Sequence, residues 1–171
     1  NNKSKNTWKY KADGVTDFAF AISDHYLWDG LRTKVDSINN HSVFVQSIYP
    51  ADSPDFHEVT EISKKLIAYF SNQMPGMKFP FPSFIAFNNG RSGGGMEFPM
   101  MINDGSPEIF ENTVSLTAHE MAHQYFPFYV STNEKKYAFM DEGWAVMLIF
   151  KYMENINGFN SRLARNVAVY Q

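Results

Sequence analysis

The stretch Ser115–Phe126, SLTAHEMAHQYF, places His119 and His123 four residues apart, with Glu120 directly after the first. An α-helix turns once in about 3.6 residues, so side chains four apart lie nearly above one another on one face. Two neutral imidazoles held that way can share one Zn²⁺ at roughly 2.0–2.1 Å each. Glu120, one position on, can reach a water on the metal without being a ligand itself. Zinc draws the pKa of such a water toward ~7, where a neighbouring carboxylate can take its proton. The same spacing also occurs in helices that carry two unrelated histidines, so the motif has to be weighed with its surroundings.

Two other stretches bear on it. A catalytic zinc needs a third protein ligand. Downstream, Ala138–Leu148 (AFMDEGWAVML) offers Glu142 near the start of a further predicted helix, and residues 124–141 leave room for a helix end, a loop and an antiparallel return. Asp141 can orient a ligand histidine from behind. The plainer reading is two acids favoured by the positive end of a helix. Upstream, Gly93–Pro99 (GGGMEFP) combines three glycines with a carboxylate. The glycines let backbone approach a ligand closely, and Met96–Met100 reads as an edge strand able to pair with an extended peptide. Gly94, Gly95 and Met96 are therefore candidate substrate-binding positions, with Glu97 beside them. The alternative is a flexible turn with a solvated glutamate. No Gly-Lys-Ser/Thr follows, so a phosphate loop is not supported.

The rest of the chain reads as α+β. Residues Asn1–Asn6 are polar and expected to fray. GVTDFAFAIS (Gly14–Ser23) and SVFVQSIY (Ser42–Tyr49) read as strands, with turns at WDG (Trp28–Gly30) and INNH (Ile38–His41). Ser53, Pro54, Asp55 and Glu58 form a cap, first-turn proline and acids. Apolar residues at Val59, Ile62, Leu66, Ile67, Tyr69 and Phe70 then recur at helical spacing. Met74–Pro82 ends that helix, and Ser83–Asn88 (SFIAFN) is a strand closed by NNG. Ser106-Pro107-Glu108 opens a helix expected to run to about Phe126, because Pro127 follows. Val130–Lys136 is a polar loop, and a last helix is expected over Ala138–Glu154, stopped by INGFN. Strands followed by long helices suggest α+β architecture, with a boundary near Pro50.

Bulk properties narrow the function classes. The 171 residues suit one domain, or a domain with part of a neighbour. At 44% hydrophobic and 16% aromatic residues, the composition supports a packed core and argues against disorder. The net charge of -3 comes with scattered Lys and Arg, so nucleic acid is not an expected partner. The apolar run WAVMLIF (Trp144–Phe150) is far short of a membrane span. The absence of cysteine excludes disulfides and thiolate ligands, which leaves His, Asp and Glu for any metal. The chain starts NNKSKN without an initiator Met, and is expected to be a piece of a longer parent. Its compartment is not readable.

Other residues receive ordinary readings. His25, His41 and His57 have no partner at ligand spacing. Tyr125 and Trp144 are expected in the core, and Phe79, Phe81, Phe84 and Phe87 are better explained by packing than by a substrate pocket. No Gly-x-Ser-x-Gly elbow is present, so serine catalysis is not indicated.

In this order and spacing, GGGMEFP, HEMAH and DEGWA resemble the aminopeptidase N family of zinc metallopeptidases, the gluzincin aminopeptidases. The resemblance is close from about Phe79 to Leu148. Further upstream, VTDFAFAIS through VFVQSIYP looks like the end of the family's N-terminal β domain. The resemblance implies a thermolysin-like metallopeptidase catalytic domain, a small mixed sheet followed by helices that carry the ligands. It implies the last strands of an N-terminal β domain over residues 1–50 and the zinc metallopeptidase domain, truncated at its C-terminus, over residues 51–171. His119, His123 and Glu142 would bind Zn²⁺. Glu120 would be the general base, and Glu97 would bind the α-amino group of a peptide substrate with a free N-terminus.

Two departures matter. Phe98 followed by Pro99 stands where the family often has Asn, which bears on N-terminal specificity. The family's oxyanion-stabilising tyrosine lies roughly sixty residues beyond the third ligand. Tyr152 and Tyr170 are too near to match, so the tyrosine is expected past Gln171, in the missing C-terminal part of the parent, and the fragment alone is expected to be nearly inactive. The alternatives are a thermolysin-like endopeptidase, for which Glu97 is incidental, and a peptidase-like binding domain. Cleavage of blocked internal peptides separates the first alternative from an aminopeptidase.

Overall fold

A computed structural model describes residues 5–107 and 109–156. Expectations that fall on residues 1–4, Glu108, INGFN beyond Ile156 and Tyr170 lie outside them. The strands are β1 (Leu27–Asp36), β2 (His41–Tyr49), β3 (Ser83–Asn88), β4 (Glu97–Phe98) and β5 (Met101–Asp104). The helices are α1 (Val59–Asn72), α2 (Phe110–Ala122) and α3 (Glu142–Asn155). The five strands form one mixed sheet in the order β1-β2-β3-β5-β4. β1 and β2 form an antiparallel hairpin, whose turn carries Asn40 at φ 53, a conformation Asn tolerates better than most residues. β2, β3 and β5 run parallel, and β4 returns antiparallel at the edge. Residues on both sides of Pro50 thus share one sheet.

Period-two alternation puts Val43, Val45, Ser47 and Tyr49 of β2 inward. They meet α1, whose residues Val59, Ile62, Leu66, Ile67, Tyr69 and Phe70 are all buried, as their spacing predicts. Behind α1, α2 contributes Val114, Ala118, Met121 and Ala122, and α3 contributes Ala145, Leu148 and Ile149. Tyr125 is fully buried, as expected, with its ring edge-on to Phe70 and Phe79. Burying each such large apolar side chain contributes about 1.5–3 kcal/mol. This core fixes α2 against the sheet, and α2 carries the histidines. Among the described residues no helix is long and apolar enough to cross a membrane.

Several local expectations need correction. GVTDFAFAIS forms no strand and pairs with none among the described residues, and Phe20 and Ile22 are 75% and 88% exposed. Strand-forming residues make a strand only when a partner edge accepts their backbone bonds. WDG is not a turn but lies inside β1, opposite Ile48, Ser47 and Gln46. Gly30 is tolerated there because the Trp28 ring covers it, 2.7 Å from where a Cβ would stand. Ser53 does not cap α1. Its hydroxyl accepts from Asn88 Nδ2 at 2.9 Å, and a 3-10 turn at Phe56–Glu58 precedes the helix.

The later helices also shift. Ser106 does not open α2, which begins at Phe110. Ser106 instead donates to the Asp55 carboxylate, which also accepts from Thr113 Oγ1 at 2.6 Å. α2 stops at Ala122, short of Phe126. A π-type turn over Gln124–Tyr129 follows, broken by extended Phe126 at φ -132, ψ 109. A residue before proline is pushed out of the helical region by the ring, which explains the break before Pro127. Ala138–Glu154 is likewise two pieces, a 3-10 turn at Ala138–Met140 and then α3. Trp144 is not core but 40% exposed, with its ring stacked on Phe126 at 5.1 Å. The expected edge strand is confined to β4, since Pro99 has no N–H and Met100 turns at φ 65.

Candidate metal centre

His119 lies in the last turn of α2, and His123 is its C-cap residue. Glu142 is the first residue of α3. The two imidazoles meet edge to face, with centroids 4.9 Å apart. His119 Nε2 is 3.4 Å from His123 Nε2 and 3.2 Å from Glu142 Oε2. His123 Nε2 is 4.0 Å from the same carboxylate oxygen. A tetrahedral ion with bonds of roughly 2.0–2.1 Å holds its donors about 3.3 Å apart. Two of the three separations match, and the third needs a small rotation of Glu142, whose side chain is half exposed.

The protonation pattern also fits a cation. His123 Nδ1 is 2.5 Å from Asp141 Oδ1 and 3.0 Å from the Phe126 carbonyl. Two acceptors at one nitrogen put the proton there, so Nε2 presents its lone pair toward His119 and Glu142. Burial, and then the neighbouring His123, holds His119 below the usual histidine range, while Glu142 and Glu97 pull the other way. A depressed value favours the neutral imidazole, the form that binds metal.

Glu120 is buried beside the ligands, and its Oε2 has no hydrogen-bond partner. Burial first, then the carboxylates of Asp104, Glu97 and Glu142, push it up to about 9. A cation held among Glu97, Glu142 and the two histidines would reverse that push. Asp104, at the end of β5, is itself pushed up to about 8 by burial, against a 3.3 Å bond from the Thr117 hydroxyl. Burial also raises Asp141 to about 6, against the opposing pull of His123.

The glycine loop closes on this group. A Cβ on Gly95 would stand 2.3 Å from Glu120 Oε1, so only glycine fits there without displacing the Glu120 side chain. Gly94 takes φ 78, and its carbonyl accepts from Gly105 N at 2.8 Å. The Met96 carbonyl accepts from Asn103 N at 2.9 Å. Gly94, Gly95 and Met96 line an open cleft of about 430 Å³ with Phe87, Arg91 and Asn103. Glu97 follows in β4, with a carboxylate oxygen within 4.8 Å of donor atoms of Glu120 and His123. The fold therefore brings together all the sequence-derived candidates: His119, Glu120, His123 and Glu142 at the helix ends, and Gly94, Gly95, Met96 and Glu97 on the facing strand and loop.

Two contributors escaped the sequence reading. Asp104 faces Glu120 from below, and a buried acid at a strand end gives no periodic signal. Gln124, directly after His123, is fully buried. Its Oε1 accepts from Met100 N at 2.7 Å, and its Nε2 donates to the Phe98 carbonyl at 2.9 Å. A lone amide in an otherwise apolar stretch, MAHQYF, was the available hint.

No family model matches the chain, and no curated protein matches it in sequence. Its structure is similar to that of the M1 zinc metallopeptidase from Deinococcus radiodurans, with a TM-score of 0.62 at 16% identity over 77% of this chain. A mutant form of that enzyme aligns with a TM-score of 0.63 over the same share, also at 16% identity. The mutant bound to a Tyr-Ser-Ala substrate aligns with a TM-score of 0.61 at 15% identity, over 85% of this chain. The chain spans 29% to 32% of the length of those proteins. The described residues thus carry a mixed α+β fold shared with part of the M1 zinc metallopeptidases.

Proposed function

We propose that this chain is the metal-binding core of a zinc-dependent aminopeptidase, which removes N-terminal residues from peptides. One observation carries the reading: His119, His123 and Glu142 converge from two helices beside an unpartnered buried carboxylate, Glu120, and opposite Glu97 on a sheet edge. Zinc held by the first three would supply Lewis acidity to the substrate carbonyl and to the attacking water. Glu120 accepts the proton of that water and passes it to the leaving amine. Glu97 pairs with the substrate ammonium and so measures one residue from the chain end. The free edge of β4 offers backbone groups to an extended substrate, and Asp141 holds the His123 ring and its tautomer. The similarity in fold to zinc metallopeptidases supports the same class of chemistry.

The test is zinc content and hydrolysis of an aminoacyl-anilide by the intact protein that contains this chain. Glu120→Gln should keep the metal and lose turnover. Glu97→Gln should raise KM for free-amine substrates and spare zinc. Zinc-loaded protein with no hydrolysis that depends on Glu120 would overturn the reading. Equal cleavage of N-acetylated and free peptides would turn it into an endopeptidase.

A further inference from the structure

We propose that Gln124 is a positioning residue that sets the span between the amine anchor Glu97 and the metal ligands. The inference rests on the reading of Glu97 given above. β4 and β5 are joined by Phe98-Pro99-Met100-Met101, with Phe98 paired to Met101. Proline at the second place and a positive φ at the third, 65° at Met100, are the features of a type II turn. Met100 is not glycine, so this turn needs support from outside itself. Gln124 supplies it. The one side-chain amide accepts from Met100 N at 2.7 Å and donates to the Phe98 carbonyl at 2.9 Å. It thereby grips both flanks of the turn from a site one residue past His123.

The consequence is geometric. β4 is two residues long and sits at the sheet edge, with only β5 beside it. Among the described residues its other edge has no strand partner. The Gln124 amide ties that short strand to the end of α2, so the carboxylate of Glu97 and the imidazole of His123 belong to one rigid unit. Asn, one methylene shorter, cannot span both partners. A carboxylate can keep the bond from Met100 N but cannot, when ionised, donate to Phe98. Truncation should therefore loosen discrimination for a free amine while leaving the metal ligands intact.

The experiment uses the intact, zinc-loaded protein with Glu120→Gln as the non-turning background. Binding of a free-amine dipeptide and of its N-acetylated form is measured by calorimetry, and zinc affinity by chelator competition. Gln124→Leu should weaken the free-amine dipeptide on the order of tenfold to a hundredfold, with the acetylated form and zinc little changed. Gln124→Glu, which keeps one of the two bonds, should fall between, and it carries the test if the leucine variant does not fold. Hydrogen exchange of the Met100 amide in the unaltered protein is a third measurement: slow exchange is expected, and exchange as fast as in a free loop overturns the proposal. Unchanged preference for the free amine in a folded Gln124 variant also overturns it. If instead Glu97→Gln has no effect on that preference, the amine-anchor reading itself has failed, which separates the two.

Discussion

Asp141 Oδ1 lies 2.5 Å from His123 Nδ1, bridging the start of α3 and the end of α2. Asp141, the residue before Glu142, thus holds the His123 ring and links the two helices at the candidate centre. Asp141→Asn replaces an acceptor with a group that can donate to Nδ1 and stabilise the wrong tautomer. We expect zinc affinity to fall about 10–100-fold, measured by chelator competition, with little change in the circular dichroism spectrum. Unchanged affinity would mean that the Phe126 carbonyl is sufficient to orient the ring.

Gly95→Ala should act on the base without touching a ligand. The added methyl group would stand 2.3 Å from Glu120 Oε1, so the carboxylate must move. Zinc content is expected to stay near one per chain, while kcat falls on the order of 10²-fold or more. Full activity in the alanine variant would show that the loop yields instead of the glutamate.

Asp104 makes the metal-free protein sensitive to alkali. Its folded pKa is raised to about 8 from a usual value near 3.8. The folded state therefore holds a proton that the unfolded chain gives up. The contribution of Asp104 to stability is greatest below about pH 4, declines as pH rises toward 8 by up to about 1.4 kcal/mol per pH unit, and levels off above that. Urea midpoints across this range should show the decline, and Asp104→Asn should flatten it. Glu120 adds a slope of the same sign, and because the Asp104 carboxylate helps to raise it, Asp104→Asn lowers part of that slope too.

Phe70→Ala tests the core apart from the chemistry. Phe70 is fully buried against Tyr69, Tyr125 and Tyr152. Its loss should cost about 3–5 kcal/mol, read from the denaturant midpoint. In protein that remains folded, zinc affinity should change little, because the aromatic partners of the ring are tyrosines outside the proposed ligand set.

The parts of this fold written in periodic patterns were legible. β2, β3 and the buried face of α1 follow their alternation or helical spacing, and the spacing of His119, Glu120 and His123 led directly to the centre. The parts decided by tertiary partners were not. Phe18, Phe20 and Ile22 have strand-forming character but no neighbouring edge among the described residues, whereas Trp28-Asp29-Gly30 looks like a turn and is held in β1 by a register of nine pairs with β2. Ser53 and Ser106 look like caps, yet their hydroxyls are taken by Asn88 and Asp55. Gln124 and Asp104 act on positions 24 and 16 residues away in sequence, Met100 and Glu120, and no local rule connects them.

The proposed ligands His119, His123 and Glu142 sit on two helices, with residues 124–141 strung between them. Any ion bound there ties the ends of that segment together, so occupancy and folding become one linked equilibrium. Free metal at a hundred times its dissociation constant would add about 2.7 kcal/mol to the folded state. If zinc is that ion, as proposed above, its supply would also set how much of the protein stays folded.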